Sequence, residues 1–393
     1  MSTGPSLPSN PFYAAPEQRV ALARQRFFEE GARPTGIVSE AVIQSWLRCL
    51  RAHPDPARSA VFEPVTVSRV HGVLRSNRQL LEVASDELQR LRVTLAGTTG
   101  TAMLTDAKGV IIGSTFTQPR SHERVMPVST RIGVNLSEEV VGTTAPGITA
   151  RSGQASVVRG GEHFFGNVQT MHCAAAPIHD VRGQLAGVLD VSSEGIPFGF
   201  DAASVVAHYA AEIENRLLCA QSTEHLVVRL QITPALLDTP MAALVGITGD
   251  GRADWLNGAA ARLLGLAAME QRSAPSAEAL LGVTTDDLAA LSTRGEPSAI
   301  HLPNGLTLWA RCEWRSRDGH RSVHASTVDA TWPAVAQQQQ EQSTSASPQP
   351  TLRDSESQTV VRVLAECGGN VSVAARTLGV SRGRIYRHLR RQA

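Results

Sequence analysis

The chain has 393 residues, of which 42% are hydrophobic and 19% charged, with a formal net charge of +1. That length allows two to four domains with their own cores, and nowhere do 18 apolar residues run uninterrupted, so no membrane partner is expected. Residues 1–20 carry prolines and polar breaks in place of a charged start and an apolar run, which reads as a cytoplasmic, unexported protein. Cys49, Cys173, Cys219, Cys312 and Cys367 are scattered, odd in number and without a CxxC pair, so neither a disulfide frame nor a zinc site is expected.

Residues 1–15, rich in Ser, Pro and Asn, read as a disordered leader. Residues 16–96 form a helical region, with helical patterns at 17–30, 39–51 and 65–95, the second ended by His53-Pro54-Asp55-Pro56. From Thr101 the period changes. Apolar runs at 102–106 and 110–113 meet at Lys108-Gly109 as a hairpin, and further strands are predicted at 155–159, 174–179 and 185–191. The mixture over residues 97–200 predicts an α+β domain. Residues 201–230 read as one connecting helix, with Val206, Tyr209, Ile213, Leu217 and Ala220 at spacings of three and four. That stripe fits a coiled-coil seam and a helix packed on its own domain equally well.

A second α+β domain is predicted at 231–332. It has strands at 241–248 and 253–256, a helix at 259–264 opened by Asn257, and later strands at 306–312 and 322–328. His301, His320 and His324 read as surface or strand residues, with no haem or flavin constellation, and no cofactor is expected. The Gln/Ser/Thr/Pro tract at 333–352 has no core-forming residues and reads as a flexible linker.

Residues 353–393 predict three short helices. Val360, Val361, Leu364 and Cys367 mark the first, and Gly368-Gly369 ends it. Asn370 or Ser372 caps the second, Gly379 makes the turn, and Ser381 caps a third helix whose Ile385 and Leu389 face inward. Eight arginines against three acids give this segment a net +5, leaving about −4 on the remainder, an electrostatic footprint for phosphate backbone. Gly369-Asn370, Ala374-Ala375, Leu378-Gly379 and Ile385-Tyr386-Arg387 resemble the Fis-type DNA-binding domain. The resemblance implies a dimer presenting two recognition helices to double-stranded DNA at a roughly palindromic site. The candidate DNA-binding residues are Ser372, Ser381, Arg382, Arg384, Tyr386, Arg387, His388, Arg390 and Arg391. Arg382, Arg384 and Arg387 are candidates for groove or phosphate contacts, and Arg390 and Arg391 for phosphate neutralisation.

A second resemblance spans residues 35–220. Ser45-Trp46-Leu47-Arg48-Cys49, Leu104-Thr105-Asp106 with Gly109, Gly133 with Ser137-Glu138, and Gly142-Thr143 are similar to acetoin-catabolism-type regulators. So are Gly161-Glu162-His163-Phe164, Cys173-Ala174-Ala175-Ala176-Pro177-Ile178 and Gly187-Val188-Leu189-Asp190. This implies a GAF-like sensor domain taking a small-molecule effector, with Leu136, Thr143, Thr144, His163 and Cys173 as candidate ligand-binding residues. The chain departs from the family at Leu136, where Trp is usual, and at Thr144 and Pro146, where Asn and Ile are usual. Residues 241–264 look like the start of a PAS domain, so the whole reads as multidomain α+β: GAF-like, PAS-like and a C-terminal three-helix Fis-type helix-turn-helix.

Regulators of this kind usually carry an AAA+ ATPase that acts on sigma-54 polymerase and needs G-x-x-x-x-G-K-[ST]. The only lysine, Lys108, lies in Asp-Ala-Lys-Gly. No ATPase and no other enzyme is therefore expected. His172-Cys173 is a poor nucleophile pair because strand neighbours point to opposite faces, Glu162-His163 lacks a third metal ligand, and Glu138-Glu139 reads as a helix start. The expected function is a homodimeric, effector-responsive, sequence-specific DNA-binding regulator. The alternative is an anti-activator forming mixed dimers with an ATPase-bearing relative, with RNA polymerase or such an activator as partner.

Overall fold

The computed structural model describes residues 15–266 and 275–315. The predicted leader, the strand at 322–328, the linker at 333–352 and the entire helix-turn-helix, with all its candidate DNA contacts, lie outside the described residues.

The chain enters through α1 (Pro16–Arg24), which continues into a π-helical turn at Gln25–Glu29, and α2 (Glu40–Ala52). Ser39 opens α2 by accepting the Val42 N–H at 3.3 Å, a cap worth about 1 kcal/mol. Val42, Ile43, Trp46 and Cys49 fall on the buried stripe of α2. The helix expected across 65–95 is two, α3 (Val67–Ser76) and α4 (Arg78–Thr94). They break at Asn77, whose side-chain amide donates to the Val73 carbonyl at 2.9 Å and whose backbone leaves the helical region.

Next come β1 (Thr101–Asp106), β2 (Ile111–Ser114), the short helices α5 (Met126–Ser129), α6 (Glu138–Val141) and α7 (Ala145–Ser152), then β3 (Ser156–Arg159), β4 (Met171–His179) and β5 (Leu185–Glu194). The five strands form an antiparallel sheet in the order β2-β1-β5-β4-β3. The period-2 alternation separates its faces. Ala102, Leu104, Ala174, Ala176, Ile178, Leu189 and Val191 pack in one cluster with α4 and with α8 (Ala202–Gln221). Met103, Cys173, Ala175 and Val188 turn the other way, into a cluster shared with the two N-terminal helices and α5–α7.

The connecting helix does not reach residue 230. It ends at Gln221, and β6 (His225–Gln231) follows after a three-residue join in which Glu224 takes a positive φ of 64°. Then come β7 (Ala243–Ile247), β8 (Ala253–Leu256), α9 (Gly258–Leu263), α10 (Ala277–Leu281), α11 (Thr285–Arg294), β9 (Ser298–His301) and β10 (Thr307–Arg315). Asn257 caps α9 as its position predicts, accepting the Ala260 N–H at 2.8 Å.

The second antiparallel sheet has the order β8-β7-β6-β10-β9. Both sheets place a central strand between two hairpin arms, but that strand is the last of the first sheet, β5, and the first of the second, β6. One face packs on α9–α11. On the other, Val227, Leu244 and Trp255 meet Leu218 and Cys219 of α8. Gly246 makes room there, since a Cβ would stand 2.1 Å from the Trp255 indole nitrogen.

Candidate functional site

On the face of the first sheet turned toward the N-terminal helices lies a small cavity of about 30 Å³. Leu136, Thr144, His163 and Cys173, four of the five candidate ligand residues, line it together. Thr143 does not. Its side chain points the other way, accepting the Ser45 hydroxyl at 2.8 Å and lying 3.5 Å from Cys49 Sγ. The strand argument against a His172–Cys173 pair agrees with the register, which pairs His172 with Ser193 and Cys173 with Ser192. The partner of Cys173 is instead His163, with Nε2 3.5 Å from Sγ.

The most polar wall was not singled out from the sequence. Asp190 and Ser192 line the cavity from β5, and Ser129 from α5. Asp190 is fully buried: Oδ2 accepts the Ser192 hydroxyl at 2.6 Å, while Oδ1 has no hydrogen-bond partner among the described residues, nor does Ser129 Oγ. The signal was present, because a single acid in Gly187-Val188-Leu189-Asp190 shares a strand face with Val188 and Ser192.

Burial dominates the electrostatics. It pushes the Asp190 carboxyl up to about 7, against the opposing effect of the Ser192 hydrogen bond. It drives His163 down to about 4, although the Gly160 carbonyl 3.0 Å from Nδ1 favours the charged form. It raises the Cys173 thiol well above its ordinary value. Near neutral pH the cavity thus holds a neutral imidazole, a neutral thiol and a carboxyl close to half protonation, surrounded by Phe62, Met103, Val168 and Met171. Such a chamber penalises ions and accommodates a neutral molecule with a polar end. The Cys173 thiol is therefore protonated and is not poised as a nucleophile.

The cavity walls are held from outside. Arg24 of α1 donates to the carbonyls of Gly161 (2.9 Å), His163 (2.7 Å) and Phe164 (3.1 Å), and the Trp46 indole of α2 donates to that of Glu162 at 2.7 Å. Arg48 holds buried Glu138 through two contacts of 2.6 and 2.8 Å. Gly142 ends α6 at φ 72°, where a Cβ would come within 2.9 Å of Phe164. On the far side, the Glu194 carboxylate accepts the N–H groups of Arg124, Val125 and Met126 and fixes the start of α5. The N-terminal helices therefore grip the segment carrying His163 and the one running from Leu136 to Thr144.

Residues 16–199 match the family model described as MimR, N-terminal domain, and residues 351–391 match that of the bacterial regulatory protein, Fis family. The first half of the chain is similar to the N-terminal domain of MimR-type and acetoin-type regulators. It is 29% identical over 222 residues to the acetoin catabolism regulatory protein of Cupriavidus necator, covering 55% of this chain and 33% of the relative. It is 27% identical over 174 residues to the propane 2-monooxygenase operon transcriptional activator MimR of Mycolicibacterium smegmatis, covering 43% and 28%. A solved structure, the E. coli DhaR(N)–DhaL complex, aligns with a TM-score of 0.43 and 17% identity over 70% of this chain and 99% of the other. The chain spans about a third of the length of the curated relatives it matches. Its cavity lies wholly within the MimR-type segment, and its Fis-type segment is the basic one predicted from charge and caps.

Among the described residues no helix is long and apolar enough to cross a membrane, and no group of three or more His, Cys, Asp or Glu side chains is arranged to hold a metal. Lys108 sits in the turn between β1 and β2, its N–H bonded to Asp106 at 2.9 Å.

Proposed function

We propose that this protein is a cytoplasmic transcriptional regulator. It binds operator DNA as a homodimer through its Fis-type segment and senses a small neutral effector in the cavity of a GAF-like first domain, with a PAS-like domain between. The observation that carries the sensing half is the buried, unpaired Asp190 Oδ1 in the wall of a chamber whose lining is otherwise largely apolar, with Ser129, Ser192 and His163 among its other polar groups. A buried polar atom without a partner costs about 1–3 kcal/mol, and a ligand hydroxyl or carbonyl relieves that cost.

The room of about 30 Å³ suffices for about one water, so an effector of several heavy atoms must push the walls outward. The two wall segments that yield are the ones gripped by Arg24, Trp46 and Arg48. Effector binding is thereby coupled to the N-terminal helices, and a ligand shifts the protein only as far as its affinity differs between the two arrangements.

The regulator acts without its own ATP hydrolysis, since the sequence offers no Walker lysine; DNA-stimulated ATPase activity of the purified protein would contradict this. The same observation favours a second reading, an anti-activator in mixed dimers with an ATPase-bearing relative. Genome-wide mapping of the tagged protein, in wild type and with Arg382, Arg384 and Arg387 replaced by alanine, separates the two. Discrete palindromic peaks lost in the variant support direct regulation, and diffuse occupancy with co-purification of a relative supports the mixed dimer. Effector sensing is tested by titrating short-chain alcohols and ketones against operator affinity. A response that survives in Asp190→Leu would overturn the role of the cavity.

A further inference from the structure

Every side chain lining the Asp190 chamber is buried, so a solute of several heavy atoms reaches it only when a wall moves. Most of the walls are tied down. The strands that supply Met103, Met171, Cys173, Asp190 and Ser192 are each paired on both sides within the sheet. Leu136 and Thr144 flank Glu138, which Arg48 holds, and His163 lies in the segment gripped by Arg24 and Trp46.

The remaining wall, α5 and the residues after it, is fastened differently. Glu194 holds its start through the N–H groups of Arg124, Val125 and Met126. At its other end Gly133 and Val134 are bonded to Ile111 at 2.9 and 2.8 Å, and the Gly133 carbonyl accepts the Val65 N–H at 2.9 Å. Between those anchors, residues 127–132 make backbone hydrogen bonds only with near neighbours in the chain. Among the described residues, one hydrogen bond ties them to a distant part of the domain: Arg131 Nη2 donates to the Phe62 carbonyl at 2.6 Å. Phe62 is itself a lining residue, in a span set between Val65 and Ala60, the latter clamped by two bonds to the Asn167 side chain at 2.9 and 3.0 Å. Phe62 and Ser129 thus reach the chamber from two short spans joined by one guanidinium, and Val61, Val128 and Ile132 lie exposed on the same spans. A single charge-assisted bond at an exposed side chain biases such a span and still breaks without unfolding the domain.

We propose that residues 127–132 are the flap through which an effector enters and leaves the Asp190 chamber, latched by Arg131 on the Phe62 carbonyl. The proposal rests on the reading of that chamber as an effector site and adds which wall opens and what holds it shut. Lifting the flap carries Ser129 off the chamber, and its buried hydroxyl leaves no hydrogen bond behind among the described residues. The apolar rim of Val61, Val128 and Ile132 suits a neutral solute. The latch is made in the closed state whether the chamber is filled or empty, so removing it speeds entry and exit alike and leaves affinity nearly unchanged.

The experiment measures how fast Cys173, in the chamber wall, is modified in the full-length protein by methyl methanethiosulfonate, a small neutral thiol reagent. Cys49 and Cys219, buried outside the chamber, are followed in parallel by mass spectrometry of their peptides. In Arg131→Ala the Cys173 rate relative to both reference cysteines is expected to rise about ten-fold, the effect of losing one hydrogen bond from a charged donor. In Arg131→Lys, which keeps a donor, it rises less. An unchanged ratio in Arg131→Ala, or equal acceleration of all three cysteines, would overturn the latch. So would Arg24→Ala raising the ratio more than Arg131→Ala does, since entry then lies at the N-terminal helices. The reagent reports access and not recognition, so the flap is decided even where the effector titration fails, and the titration is decided even where the flap fails.

Discussion

Asp190 and His163 share one chamber but titrate in opposite senses, and replacing them singly exposes two opposing slopes in stability against pH. Asp190 has a folded pKa of about 7, above the about 4 of an unfolded carboxyl. Between those values the folded state holds a proton that the unfolded state has lost, so stability falls as pH rises, by about 4 kcal/mol over the window. His163 has a folded pKa of about 4, below its ordinary 6.5. Between those values the unfolded state holds the extra proton, so stability rises with pH, by about 3 kcal/mol. In the intact protein the two nearly cancel from about pH 4 to 6.5. Relative to wild type, Asp190→Asn gains stability as pH rises from 4 to 7, and His163→Asn gains as pH falls from 6.5 to 4. Native-state hydrogen exchange of β4 and β5 peptides across this range measures the differences within the first domain itself. Exchange free energies that run parallel to wild type in both variants would refute the assignment of burial as the dominant cause.

Other consequences are equally open to measurement. Arg48→Ala leaves the Glu138 carboxylate buried without its cation and is expected to destabilise the first domain by about 3 kcal/mol, read as a lower urea midpoint with unchanged slope. Gly246→Ala drives a methyl into the Trp255 indole, and its expected cost of about 1–3 kcal/mol should appear as a red-shifted, more mobile tryptophan signal before global unfolding. If Arg384 reads guanine, Arg384→Ala is expected to cost about 1–3 kcal/mol confined to one base-pair position in a binding-site selection, and a loss uniform across sites would make it a phosphate contact instead.

How far the chain could be read in advance depended on whether the deciding interaction was local. The hairpin at Lys108-Gly109 and the cap at Asn257 were legible because the turn and cap residues sit within a few positions of what they organise. The span 201–230 was not. Apolar residues continue at compatible spacings through Leu226, Val227 and Val228, and the switch to strand turns on the positive φ of Glu224, which no glycine announces. What makes 225–231 a strand is its pairing with β7 and β10, the latter more than 75 residues away in sequence. The cavity divides likewise. Four lining residues were reached through family motifs, whereas Asp190 lay inside a quoted motif yet gained meaning only when the sheet register set it beside Ser192 and Met103. Thr143 shared a motif with Thr144, but the helix start between them sends one hydroxyl toward α2 and spends the other on capping α7.

The join between α8 and β6 also has a mechanical meaning. A strand at the margin of a sheet peels away when tugged, one pair of hydrogen bonds at a time. β6 is bonded on both sides and is joined to α8 by three residues, with Val227 also packed against Leu218 and Cys219 of that helix. A pull or twist applied to the helix therefore loads two ladders together, where an edge strand would load one.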